Sequence, residues 1–176
     1  MNRAYLSLGS NLCNPLHQIC RALERLASLP YSHIANISHL YHTPPYGQVH
    51  QSHFLNTVVA LDTYLDPEEL LNKIQCIEIE QKRCRQSYRW GPRTLDVDIM
   101  LFNKQTINTP QLIIPHYDMH NRAFMLKPLI DIAPSLCLPN GKNLSEILKT
   151  LNANAIHKVV QSSFDLQKSQ VLLQKN

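Results

Sequence analysis

The sequence predicts an α+β fold, an antiparallel sheet with helices packed on it. Three observations carry this expectation. Two amphipathic segments each open with a capping residue followed by proline. Four segments rich in apolar and β-branched residues surround them. The six follow one another as β-α-β-β-α-β, the order of the split βαβ in ferredoxin-like folds, where helices cover one face of the sheet.

Each element has a local reason. "AYLSLG" at 4–9 alternates and ends on glycine, which suits a first strand. In "NPLHQICRALERLAS", Asn14 caps and Pro15 occupies the first helical position, while Leu16, Ile19, Cys20, Leu23, Leu26 and Ala27 share one helical face. Residues 32–42, "SHIANISHLYH", read as a second strand closed by the turn-forming "TPPYG" at 43–47, with a polar loop to residue 53. "FLNTVVALDTYL" reads as a third strand. Asp66-Pro67-Glu68-Glu69 then supplies a capping box for a helix from Pro67 to about Arg83. A basic loop leads into "TLDVDIMLF", the fourth strand; a short hairpin strand is expected within 105–114, a helix over 121–132 and further helical turns at 144–151. Residues 1–160 read as a single domain and 161–176 as a C-terminal tail.

Bulk properties narrow the function. A chain of 176 residues suits one domain with a substantial core. The formal charge of +4 is spread without a block of like charges, so it suits an anionic small molecule as readily as a nucleic acid. The five cysteines (Cys13, Cys20, Cys76, Cys84, Cys137) form an odd set without C-x-x-C spacing, which argues for reduced thiols in the cytoplasm and against a disulfide framework or a zinc knuckle. The chain opens without a basic, then apolar, leader, and no stretch approaches ~18 consecutive apolar residues, so neither export nor a membrane span is expected.

The chemistry concentrates in "RWGPRTLDVDIMLF", residues 89–102. Period two puts Leu95, Val97, Ile99 and Leu101 on one face of a strand and Thr94, Asp96, Asp98 and Met100 on the other. The Cα atoms of Asp96 and Asp98 then lie roughly 7 Å apart, so their carboxylates can converge on metal ions about 4 Å from each other. Mg²⁺ takes such a site, with one or two carboxylates, waters and substrate phosphates. By itself the pair equally suits the wet face of an antiparallel sheet. Arg83, Arg85, Arg89 and Arg93 lie just upstream, and arginine contacts phosphate oxygens bidentately. Arg83 and Arg85 also suit a helix C-terminus. The four glycines assemble neither phosphate-loop pattern, so a bound nucleotide would be held by cations and side chains. His116 and His120 are four apart but lack the H-E-x-x-H glutamate, and Pro115 puts His116 ahead of any helix; a phosphate-directed histidine beside Tyr117 and Arg122 suits the stretch better than zinc.

Taken together, "YLSLGSN", "YHTPPYG", "FLN", "RWGPRTLDVDIMLF" and "IPHYDMHNRAFML", in this order and at these intervals, closely resemble 6-hydroxymethyl-7,8-dihydropterin pyrophosphokinase of folate biosynthesis, from residue 4 to about 150. The resemblance implies transfer of the diphosphate of ATP to the pterin's hydroxymethyl group, releasing AMP, with two Mg²⁺ ions. A cytoplasmic monomer with small-molecule partners only, neither nucleic acid nor membrane, is expected. Asp96 and Asp98 resemble the ligands of both ions. Arg83 and Arg93 resemble the cations that neutralise the triphosphate, with Arg85 and Trp90 on the same catalytic loop. His116, Tyr117 and Arg122 match nucleotide-contacting positions, and Gln75, Glu78 and Ile99 match positions beside the adenosine. Thr43, Pro44, Pro45, Tyr46 and the amide of Asn56 resemble the groups that read the pterin edge, while Phe54 and Phe124, with Trp90, resemble its aromatic surround. Loops 44–53 and 84–93 are then candidate lids that exclude water. Gln111 and Ile113 depart from the family, which usually has an arginine and a small polar residue there. Two other classes suit parts of the pattern: a single-strand nucleic-acid binder with basic loops, and a two-metal phosphohydrolase using the same aspartates.

Overall fold

The computed structural model describes residues 1–46, 50–82 and 91–159. Strand β1 (Asn2–Ser10) runs into helix α1 (Pro15–Ala27), strands β2 (Ser32–Ile37), β3 (Tyr41–Thr43) and β4 (Phe54–Thr63), and helix α2 (Pro67–Glu80). Then come β5 (Asp96–Phe102), a small hairpin of β6 (Ile107–Asn108) and β7 (Ile113–Ile114), a 3₁₀ turn (Met119–Asn121), helices α3 (Ala123–Ile132) and α4 (Leu144–Lys149), and β8 (His157–Lys158).

The local signals fold as written. The Asn14 side chain accepts the His17 N–H at 3.3 Å, and Asp66 and Glu69 close a reciprocal capping box with Pro67 in the first turn. Both helices lie on one face of the main sheet. There Leu6, Leu8, Val59, Leu61, Val97 and Ile99 meet Ile19, Leu23, Leu26, Leu70, Ile74 and Ile77 in a closed apolar core.

The sheet runs β5-β1-β4-β3-β8, with β2 also on β4, and every pairing is antiparallel. Four expectations need correction. Residues 32–42 form two strands, because extra residues on that side shift the register at Ile34/Asn36 and again between Ile37, opposite Val59, and Tyr41, opposite Asn56. The break is stitched by Ser38, whose N–H donates to Val58 O and whose hydroxyl accepts the Val58 N–H, each at 2.9 Å. Second, α3 begins at Ala123, after the 3₁₀ turn. Third, the helices do not keep to one face: Met125, Leu126 and Leu129 of α3 and Leu144 of α4 pack on Val58, Met100 and Leu101, covering part of the other side. Fourth, Leu101 leaves the Val97/Ile99 side. Leu6 faces Ile99 but Tyr5 faces Leu101, so Met100 is a bulge residue; beyond it the alternation inverts, and Phe102 enters the first core. Helix α2 ends at Glu80; Arg83 and the tail from 161 lie outside the described residues.

Candidate functional site

The part of the second face that α3 and α4 leave open, among the described residues, lies at the end of the sheet where β1 finishes and β5 begins. Register fixes its floor. Gly9 stands between Asp96 on one neighbour and Asn56 on the other, and one step along β1 Ser7 stands between Asp98 and Val58. Alternation therefore delivers two carboxylates, a hydroxyl, a bare backbone and an amide to one surface. Gly9 is required there by contact: a Cβ on it would meet Asn56 Oδ1 at 2.6 Å.

These residues floor an open cleft. Its walls come from Thr43 at the end of β3 and Pro44 and Tyr46 just after it, from Phe54, from Arg93, and from Arg122, Phe124 and Met125 at the start of α3. Asn56 is buried and its Nδ2 donates to Thr43 Oγ1 at 2.6 Å, which fixes the orientation of the amide. Phe54 and Phe124 both reach the cleft, and Tyr46 meets Phe124 edge-on with ring centroids 6.0 Å apart.

Charge lines the other end. Arg93 Nη1 donates to Asp96 Oδ2 at 2.6 Å. The arginine is placed by its own backbone: its N–H donates to Asn11 Oδ1 at 2.8 Å and its carbonyl accepts from Asn11 N at 3.1 Å. The Asn11 amide also donates to Gln51 Oε1 and Ser52 O, so one side chain at the end of β1 anchors both segments leading into the cleft. Arg122 is buried, donates from Nε to Asp118 Oδ2 at 2.8 Å, and lies 5.1 Å from the Tyr46 ring centroid, 5.8 Å from Phe124 and 5.9 Å from Tyr117.

His116 bridges these groups. Burial first, and the positive charge of Arg122 second, push its imidazole down to about 4, so the ring is neutral at pH 7. Nδ1 accepts the Asp118 N–H at 3.2 Å, which assigns the proton to Nε2, and Nε2 lies 3.9 Å from Asp98 Oδ2. The ring is thus a neutral donor aimed at the carboxylate end of the cleft.

Of the residues singled out from sequence, Thr43, Pro44, Tyr46, Phe54, Asn56, Arg93, Asp96, Asp98, Arg122 and Phe124 line this one cleft. Pro45 lines a neighbouring hollow toward Leu151 and Ile156, and Tyr117 is exposed against His116, ring centroids 4.7 Å apart. Three positions are elsewhere. Gln75 and Glu78 belong to α2 on the opposite face; Glu78 is buried and its Oε1 accepts the Val97 N–H at 2.9 Å, while the Ile99 side chain is in the first core. Arg83, Arg85 and Trp90, with Gly47 and most of the 84–93 loop, lie outside the described residues. Sequence reasoning missed Ser7, Gly9 and Asn11; the signal was there, since "SLGSN" puts small and polar residues at alternate positions opposite Leu6 and Leu8.

The family model for 7,8-dihydro-6-hydroxymethylpterin-pyrophosphokinase matches residues 5–134. The chain belongs to that family. A 2-amino-4-hydroxy-6-hydroxymethyldihydropteridine pyrophosphokinase of Pseudomonas aeruginosa is 46% identical over 159 residues, covering 90% of this chain and 98% of that protein. The enzyme of the same name from Haemophilus influenzae is 42% identical over 161 residues, covering 92% and 98%. Among solved structures, the Plasmodium falciparum HPPK-DHPS A437G protein superposes with a TM-score of 0.67 at 20% identity, covering 85% of this chain and 45% of that longer one, a likeness of fold. The family's matched segment holds every residue of the cleft just described.

Proposed function

We propose that this protein transfers the diphosphate of ATP to the hydroxymethyl oxygen of 6-hydroxymethyl-7,8-dihydropterin, giving the pterin diphosphate and AMP, in the cleft at the open end of the sheet. Family membership supplies the activity, pyrophosphoryl transfer to that pterin in folate biosynthesis. The observation that carries the location is the row Asp96–Gly9–Asn56, which sets metal-type carboxylates and a ring-reading amide side by side.

The pterin half is the Asn56 side. A flat heterocycle with a donor-and-acceptor edge needs aromatic faces and an amide; Phe54 and Phe124 supply the faces, and Asn56 and Thr43 the edge contacts, with Pro44, Pro45 and Tyr46 beside them. Gly9 leaves the floor flat enough for the ring to lie on. The triphosphate half is the Asp96 side. Arg93 and Arg122 offer guanidiniums, His116 a neutral N–H and Tyr117 a hydroxyl, with Arg83, Arg85 and Trp90 assigned to the same role from the sequence. Gln75, Glu78 and Ile99 are assigned to the adenosine from the sequence likeness alone, the side chains of Glu78 and Ile99 being buried on the α1/α2 side.

The donor set suits magnesium. Among the described residues no three His, Cys, Asp or Glu side chains gather as a closed metal cage, whereas Mg²⁺ asks for one or two carboxylates completed by water and phosphate. Asp96 and Asp98 would hold two ions, with Arg93 released from Asp96 to the phosphates. Bound there, the ions neutralise phosphate charge and make the hydroxyl more acidic. The side chains do the remainder: Phe54, Asn56 and Phe124 hold the hydroxymethyl group in line, Arg93 and His116 donate to the transferred oxygens, and loops 44–53 and 84–93 are the candidates, from the sequence, for keeping out water, the competing acceptor.

Three broader readings belong with this one. The antiparallel order β5-β1-β4 with β2 and β3 beyond supports a ferredoxin-like sheet. Cys13, Cys76 and Cys137 are exposed and outside any disulfide, which suits a reducing cytoplasm, and no described helix is long and apolar enough to cross a membrane. A monomer acting on small molecules is expected on the same reading. Product analysis tests the activity. AMP is expected only when ATP, Mg²⁺ and the pterin alcohol are present together; phosphate or diphosphate released without the alcohol would instead make the protein a hydrolase.

A further inference from the structure

We propose that Asp131, acting through Tyr41, is a positioning residue that sets the width of the pterin half of the cleft. The two walls of that half come from different elements. Thr43 ends β3 and Tyr46 follows it, while Arg122 and Phe124 open α3, and nothing covalent fixes their separation. Tyr41 spans the gap. It is 3% exposed, pairs directly with Asn56 in the register, and stands two residues before Thr43 on the same face. Its hydroxyl donates to Asp131 Oδ2 at 2.8 Å, and the same oxygen lies 3.0 Å from His39 Nδ1. Lys127, one turn earlier on α3, lies 5.8 Å from the Tyr41 ring centroid and donates to Ile156 O at 3.4 Å. Tyr41 also shares a small apolar cluster with Ala123 and Ile156, against which Phe124 packs.

The load is directional. Asp131 stands at the C-terminal end of α3 and Phe124 at its N-terminal end, so a bond at residue 131 fixes the pose of the whole helix on β3. The phenol is strongly committed: burial first and the Asp131 bond second raise its pKa above the ordinary tyrosine range. Removing Asp131 leaves the buried hydroxyl without this acceptor, at a desolvation cost, and removing the hydroxyl deletes the bond between β3 and the end of α3, so either change favours a shifted helix.

The claim rests on the assignment of this half-site to the pterin. The experiment measures Kd for the pterin alcohol, Kd for a non-hydrolysable ATP analogue, and kcat, for Tyr41→Phe, Asp131→Ala, Asp131→Asn, the double variant and Asn56→Ala. Tyr41→Phe and Asp131→Ala should each weaken pterin binding about tenfold, with ATP-analogue binding and kcat within about twofold of the parent. The double variant should be no worse than either single one, and Asp131→Asn, whose carbonyl still accepts the hydroxyl, should restore most of the affinity. Pterin affinity unchanged in Tyr41→Phe, ATP affinity falling in parallel, or additive losses in the double variant would overturn the proposal. Asn56→Ala separates the two claims. If it too leaves pterin binding intact, the assignment of the half-site has failed; if it abolishes binding while Tyr41→Phe does not, the positioning role alone has failed.

Discussion

The two faces of the sheet are made by the same strands and do opposite work. On the α1/α2 side the strand positions that meet the helices are mostly aliphatic, from Leu6 and Leu8 to Val97 and Ile99, and the buried carboxylate of Glu78 accepts the Val97 N–H. On the α3 side the strands change character along their length, from Val58, Met100 and Leu101 under the helix to Ser7, Gly9, Asn56, Asp96 and Asp98 beyond it. A closed face buys rigidity; the half-covered face uses that rigidity to hold polar groups in fixed register. The difference can be broken one row at a time.

The largest effect is expected at the carboxylates. Asp96→Ala or Asp98→Ala should lower kcat by about a thousandfold or more, while pterin binding, measured by titration, stays within a few-fold; activity within about tenfold of the parent, only ~1.4 kcal/mol of barrier, would remove the metal assignment. Next is Asn56→Ala, which deletes the amide and leaves Thr43 Oγ1 without its donor. Pterin Kd should rise by about a hundredfold, with a stability loss of about 1–3 kcal/mol in chemical denaturation. Gly9→Ala attacks the same amide by contact, since the added Cβ falls 2.6 Å from Asn56 Oδ1. Pterin KM should rise at least about tenfold, while ATP KM barely moves.

The smallest effect is a slope. His116 is held neutral, near 4 against an ordinary 6.5, so between those values the unfolded chain binds more protons than the native one. Stability contributed by this burial is full above about pH 6.5 and is lost as pH falls toward 4. Unfolding free energies at pH 7 and pH 5 should differ by about 2 kcal/mol more in the parent than in His116→Gln; equal differences would mean the imidazole titrates normally.

What could be read in advance follows the range of the interactions. The starts of α1 and α2 were legible because caps and prolines act within one turn, and the aspartate pair because alternation needs only a strand. The split of β2 from β3 and the bulge at Met100 were not, since each depends on how two distant strands share an uneven count of residues. Phe54, Asn56 and Phe124 are ordinary core letters until the fold brings β4 and α3 to one cleft; only the resemblance picked them out. Gly9 was visible as a strand end but not as a floor, because the contact that demands it lies 47 residues away, at Asn56.

A structure of the protein with a non-hydrolysable ATP analogue, Mg²⁺ and the pterin alcohol bound together tests the division of the two faces most directly. The ring is expected between Phe54 and Phe124 with its edge on Asn56, and metal on Asp96 and Asp98. Ring density in the neighbouring hollow by Leu151, or metal away from both aspartates, would contradict it.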